Sequence, residues 1–195
     1  MVLPRYISIG GIDGSGKSTV QRMLASHLTA LGKKVVAFSE PYHPFVKELV
    51  EREEDPWTHV LLFALDRWLL KPRLDRWISS GMTLVSSRSI YCSLAYQGAQ
   101  GIEWERILQA NDWKRLILPE LFIILDLPPE TAYARCSRSE RFEDEEFLRL
   151  VRRQYLKLYE NSALFPTRIE VVDAEPPIDQ VFSRVVSLLE RPQEP

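Results

Sequence analysis

The sequence predicts an α/β fold, a doubly wound parallel five-stranded sheet flanked by helices. Three observations predict it. Short β-rich runs alternate with helical patterns along the whole chain, the order that a parallel sheet with crossover helices requires. The strongest run, Leu121-Phe122-Ile123-Ile124-Leu125-Asp126, is apolar without alternation, as a central strand covered on both faces should be. Gly11 to Ser18 fits G-x-x-x-x-G-K-[ST], the phosphate-binding loop that joins a first strand to its helix.

The first strand is Tyr6-Ile7-Ser8-Ile9. In the loop after it, Gly11, Gly14 and Gly16 let the backbone bend tightly and turn its N–H groups inward around an anion. Lys17 adds a point charge for the β- and γ-phosphates, and the Ser18 hydroxyl is placed to ligate Mg²⁺. Val20, Met23, Leu24, Leu28 and Leu31 recur at helical spacing, and that helix aims its N-terminal dipole at the same anion. Gly32 is a natural C-cap.

A second strand follows at Val35-Val36-Ala37-Phe38. Pro41 and Pro44 make residues 40–44 a loop, and residues 45–52 a short helix. Asp55-Pro56 starts a long helix over 57–80, in which Pro72 is expected to cause a kink or break. Gly81 closes it. Thr83 to Ser87 is the third strand, and residues 89–97 and 104–111 are helical. After the central strand at 121–126 come helices over 131–138 and 147–159, with a charged stretch at 139–145 between them. A last strand at 169–172 and a last helix at 178–189 complete the alternation. In such sheets ligands bind beyond the carboxyl ends of the strands. The phosphate loop, Glu40, Arg88 and Asp126 all fall on that edge.

With 195 residues the chain suggests one domain over 1–190 and a frayed tail at 191–195. A formal charge of −2 provides no field to draw nucleic acid or an anionic membrane, so neither is expected as a partner. Cys92 and Cys136 form no C-x-x-C pair and read as idle thiols, which fits a reducing cytoplasm. No basic segment followed by an apolar run opens the chain, so no signal peptide is expected. The most apolar stretch, residues 116–127, is too short and too interrupted to span a bilayer.

Four blocks resemble the thymidylate kinases, P-loop nucleoside monophosphate kinases that pass the γ-phosphate of ATP to dTMP. They are Gly11 to Thr19; Leu61-Leu62-Phe63-Ala64-Leu65-Asp66-Arg67-Trp68; Ser86 to Gly98, with its Ser-Leu-Ala-Tyr-Gln-Gly; and Asp126-Leu127-Pro128-Pro129-Glu130 with the Glu140-Arg141-Phe142-Glu143 after it. They stand in the family's order and cover nearly the whole chain. The first block alone indicates a phosphate loop; the second and third are far more specific.

The resemblance implies a nucleoside monophosphate kinase fold with a short lid at about residues 135–145, and a homodimer. It implies ATP with Mg²⁺, cradled by Gly11, Ile12, Asp13, Gly14, Ser15, Gly16, Lys17, Ser18 and Thr19, with Ser18 on the metal. For dTMP it implies Phe63 stacked on thymine, Arg67 on the base O4, and Arg88 on the monophosphate. It further implies Tyr96 crowding the 2′ position, Ser93 and Gln97 at the thymine edge, and Asp13 on the 3′-hydroxyl. Lys17 and Arg88 become catalytic. Because position 15 is Ser, the charge on the transferring phosphoryl falls to a lid arginine, Arg138 or Arg141, with Arg135 nearby. Each assignment has a plainer rival: Phe63 and Tyr96 as core, Arg67 and Arg88 as ordinary ion pairs, Asp13 as a turn aspartate, the lid arginines as a solvated charge run.

One departure stands out. The family's third strand ends in Asp-Arg, whereas this chain has Ser87-Arg88, followed by Ser89 in place of an aromatic. A serine adds no negative charge to a metal shell, so Glu40 or Asp126 acting through water is the available compensation. The rival functions are a P-loop kinase paralogue acting on another (deoxy)nucleotide or nucleoside, and a catalytically weakened nucleotide-binding regulatory protein. A GTPase is disfavoured because no N-K-x-D motif occurs.

Overall fold

The structure, a computed structural model, describes residues 3–135 and 144–190. Its strands are β1 (Tyr6–Gly11), β2 (Val35–Ser39), β3 (Thr83–Ser87), β4 (Leu121–Asp126) and β5 (Arg168–Asp173). They form one sheet in the order β2-β3-β1-β4-β5, every neighbouring pair parallel. The chain steps to one side of β1 for β2 and β3 and to the other for β4 and β5. The reversal puts the crevice of the sheet at the carboxyl end of β1, where the phosphate loop begins.

The helices are α1 (Lys17–Ala30), α2 (Pro44–Arg52), α3 (Pro56–Ser79), α4 (Ile90–Ala99), α5 (Trp104–Asn111), α6 (Pro129–Arg135), α7 (Glu145–Glu160) and α8 (Ile178–Leu189). Their starts follow capping chemistry. The Asp55 side chain accepts from Thr58 N at 2.7 Å with Pro56 at the first position, and Asp144 accepts from Phe147 N at 2.7 Å. Each such cap contributes about 0.5–2 kcal/mol. Gly32 and Gly81 follow the last residues of α1 and α3 in the left-handed region, at φ 78° and 73°.

Of the kink or break expected at Pro72, the break does not occur: α3 runs from Pro56 to Ser79 through it. The ring deletes one N–H on an exposed position, and the flanking ladder carries the helix on. Leu31 is exposed, since it follows the last residue of α1 and turns away from the sheet.

The core lies on both faces of the sheet. Leu121 to Leu125 are buried throughout, as the unbroken apolar run requires. Burying each such side chain stabilises the fold by roughly 1.5–3 kcal/mol. A smaller cluster of Tyr6, Phe38, Leu70, Leu74 and Leu84 seals α3 against β1, β2 and β3. Trp77 belongs with it, its ring 6.0 Å from that of Phe38. Cys92 is buried and free. Among the described residues, no helix is long and apolar enough to cross a membrane.

Candidate active site

The carboxyl edge of the sheet brings the phosphate loop, Glu40, Arg88 and Asp126 together, as the strand order demands. The loop has the shape its glycines forecast. Gly11, Gly14 and Gly16 take φ 137°, 83° and 91°. At Gly14 a Cβ would stand 2.5 Å from the Ala132 carbonyl oxygen of α6, so this position tolerates no side chain. Ser15 is buried, and a Cβ on Gly11 would stand 2.6 Å from its Oγ. The side chain at position 15 therefore turns inward and brings nothing to the mouth of the loop. Ser18 is exposed in the first turn of α1.

Two cations meet on one oxygen of the loop. Lys17 Nζ donates to Asp13 Oδ1 at 2.9 Å and to Ile12 O at 2.9 Å. Arg88 Nη2 donates to the same Asp13 Oδ1 at 2.7 Å. Burial works against ionisation of Asp13, but the charges of Arg88 and then Lys17 outweigh it and hold its carboxyl well below the usual carboxylate range. Burial also pushes the Lys17 ammonium down, against the pull of Asp13. The Arg88 guanidinium lies over the Tyr96 ring, 5.1 Å from its centroid.

On the other side of Arg88, Arg67 sits in a buried polar network. Its Nε donates to Glu40 Oε2 at 2.8 Å, its Nη1 to Asn111 Oδ1 at 2.8 Å, and its Nη2 to Ser93 Oγ at 2.9 Å. The Arg67 and Glu40 side chains are each 6% exposed, so the pair is desolvated. Burial raises the Glu40 carboxyl, and Arg67 opposes that rise. The ion-pair alternative for Arg67 is thus realised, yet a guanidinium has five N–H donors and three side chains do not exhaust it. Phe63, one turn earlier on α3, lies half-buried with its ring 5.6 Å from the Arg67 guanidinium carbon. Gln97 is buried, and its Oε1 has no partner among the described residues.

Three residues that the sequence did not single out for a role complete the arrangement. Asn111, at the end of α5, has its amide orientation fixed by donating from Nδ2 to Ile107 O at 2.8 Å, so that Oδ1 faces Arg67. Asp66 accepts from Tyr42 N at 2.8 Å and from His43 N at 2.9 Å, tying down the loop that carries Glu40. Arg152 of α7 grips Asp126 with two bonds, Nε to Oδ1 at 2.6 Å and Nη2 to Oδ2 at 2.8 Å. Asp66 lay inside a quoted block and was legible by its neighbour Arg67. Asn111 and Arg152 act across elements distant in sequence, and nothing local marks them.

These contacts bear on the compensation expected for Ser87. Arginines hold both Glu40 and Asp126, so a water-mediated substitute for the Asp missing at position 87 would have to share these carboxylates with Arg67 and Arg152. No group of three or more His, Cys, Asp or Glu that could hold a metal exists among the described residues. The exposed Ser18 fits a cation that arrives already coordinated by phosphates and water. Arg135 bonds the carbonyls of Ala174 and Glu175 at 3.3 and 3.4 Å. Arg138 and Arg141 lie outside the described residues.

Comparison with known proteins gives a consistent picture. A family model described as Thymidylate kinase matches residues 9–185. The chain is 32% identical over 200 residues to the probable thymidylate kinase 1 of Saccharolobus solfataricus, covering 97% of this chain and 98% of the relative. It is 36% identical over 192 residues to the probable thymidylate kinase of Pyrobaculum calidifontis, covering 95% and 96%. It is 36% identical over 190 residues to that of Methanosphaera stadtmanae, covering 92% and 94%.

Proposed function

The chain belongs to the thymidylate kinase family, and from that membership and the geometry of its edge we propose that it transfers the γ-phosphate of ATP to dTMP. The observation that carries this reading is the convergence of Lys17 and Arg88 on Asp13 Oδ1, at 2.9 and 2.7 Å. One cation belongs to the donor loop, the other to the end of β3. Phosphates drawn to the two of them would meet at one place. An oxygen of the dTMP phosphate then attacks the γ-phosphorus, the bond from that phosphorus to the β-bridging oxygen breaks, and ADP leaves with the electron pair.

The chain's own groups do the positioning. Backbone N–H groups of residues 11–18, with Thr19 behind them, cradle the donor phosphates, and Lys17 gives up part of its hold on Asp13 for them. Arg88 receives the acceptor phosphate in its planar fork. Asp13 is then free to accept from the sugar 3′-hydroxyl. Phe63 offers its ring to thymine, and Arg67 the donors left over from its network. Ser93, Tyr96 and Gln97 close the base and sugar side. Mg²⁺, held by Ser18 together with phosphate oxygens and water, would supply charge neutralisation. Little covalent work falls to the protein, because fixed geometry and fixed charge supply most of the acceleration.

The test is a coupled assay with ATP and Mg²⁺ across the nucleoside monophosphates. The expected outcome is conversion of dTMP to dTDP ahead of UMP, CMP, AMP and GMP, abolished by EDTA. A dTMP rate at background, or a faster rate on another monophosphate, refutes it.

We also propose a homodimer built on α3. Besides its buried face, that helix carries Leu61, Leu65 and Leu69 at four-residue spacing, 48%, 43% and 46% exposed. Such a stripe stays in water on a lone chain and is covered if two copies pair through it. Sedimentation velocity is expected to show a dimer that Leu65→Glu dissociates; a wild-type monomer at all concentrations ends the proposal.

A further inference from the structure

Ser8 of β1 and Ser86 of β3 are register partners on neighbouring strands. Both are fully buried. A buried hydroxyl is costly unless it is hydrogen-bonded, and here both are spent on the same acceptor. Ser8 Oγ donates to Arg88 O at 3.2 Å, and Ser86 Oγ donates to Arg88 O at 3.0 Å. A carbonyl oxygen has two lone pairs, so two donors saturate it. The Tyr6 hydroxyl lies 3.3 Å from Ser86 Oγ. It is a second acceptor within reach of the Ser86 hydroxyl, besides the Arg88 carbonyl. The other end of residue 88 is fixed as well, with Arg88 N donating to Ile9 O at 2.9 Å.

Arg88 needs this restraint. Its φ is +74°, in the left-handed region that a residue with a Cβ rarely enters, and such conformations persist where surrounding contacts over-determine them. From that conformation its guanidinium crosses to the phosphate loop, over Tyr96 and onto Asp13.

We infer that Ser8 and Ser86 are positioning residues for Arg88: the paired hydroxyls hold its backbone in the left-handed region and so aim its guanidinium at the phosphate loop. That the aimed group receives the dTMP phosphate rests on the proposed function. The backbone device itself does not.

The experiment uses the full chain carrying Ser8→Ala and Ser86→Ala together, a change that removes two oxygens and adds no bulk. With dTMP varied, KM is expected to rise about tenfold, the factor that about 1.4 kcal/mol of lost aim represents. With ATP varied, KM should stay within about twofold, because the backbone cradle and Lys17 are untouched. A general loosening of the sheet would raise both constants together, and that result overturns the inference, as does no change in either. If the wild type does not turn over dTMP, the proposed function fails alone. The inference is then decided by a crystal structure of the double variant: Arg88 returning to negative φ supports it, and Arg88 still near +74° overturns it.

Discussion

The two sides of the candidate site, one proposed for the acceptor and the other for the donor, are built on different principles. On the acceptor side, Arg67, Glu40, Asn111 and Ser93 form a buried network in which side chains from α3, the loop after β2, α5 and α4 satisfy one another. On the donor side, the loop of residues 11–18 is shaped by backbone and glycine conformation, with one partly exposed strap, Lys17–Asp13–Arg88, across its mouth. The first is pre-formed at the cost of desolvating charges. The second is held by a strap in which Lys17 is buried, at 8%, while water and salt reach Asp13 and Arg88, at 38% and 28%. A kinase that selects one acceptor, takes in a nucleoside triphosphate and releases a diphosphate at each turn, as proposed for this chain, would be served by that division.

Arg67→Ala tests the difference most severely. It strands the Glu40 carboxylate, already raised by burial, with its counter-charge gone. Removing one partner of a buried pair costs about 3–5 kcal/mol, so urea unfolding should move by that amount, with dTMP KM rising in parallel. Adding Glu40→Gln to Arg67→Ala should recover part of the stability and none of the dTMP binding. A loss below about 1 kcal/mol, the range of an exposed pair, would mean that the acceptor side is no more pre-formed than the donor side.

The same division governs what the sequence disclosed. The conformation of the loop at 11–18 was legible, because it lies in consecutive residues whose types dictate the backbone: glycines where φ is positive, Lys17 and Ser18 where a helix begins. The strands and helices were legible for the same local reason, save at Pro72, where the rest of α3 outweighed one lost donor. On the acceptor side Phe63 and Arg67 could be read as a helical pair, but what Arg67 touches could not. Asn111 is 44 residues away, and Arg152 reaches Asp126 across 26. The Ser8–Ser86 pair was hidden differently. Each serine was visible in its strand, but their shared purpose appears once the register sets them opposite each other.

Acid titration probes the donor side, with the smallest expected effect. Asp13 has its folded pKa held below its ordinary value of 3.8 by Arg88 and Lys17, against the opposing influence of burial. The folded state therefore releases this proton more readily than the unfolded chain does. By linkage, the strap's contribution is fully present above the unfolded pKa and is lost as pH falls through the folded one. Wild type and Asp13→Asn, unfolded in urea from pH 7 down to pH 2, should differ by a constant amount above about pH 4, and the gap should shrink steadily below it. With the Asp13 side chain 38% exposed and that of Arg88 28%, solvent screening should keep the gap to at most about 1 kcal/mol. Salt near 1 M, where the screening length falls to about 3 Å, should narrow it further. A gap of several kcal/mol that salt near 1 M leaves unchanged would place the strap with the buried network and remove the distinction between the two sides, and a gap independent of pH would mean that Asp13 is not held by Arg88 and Lys17 as described.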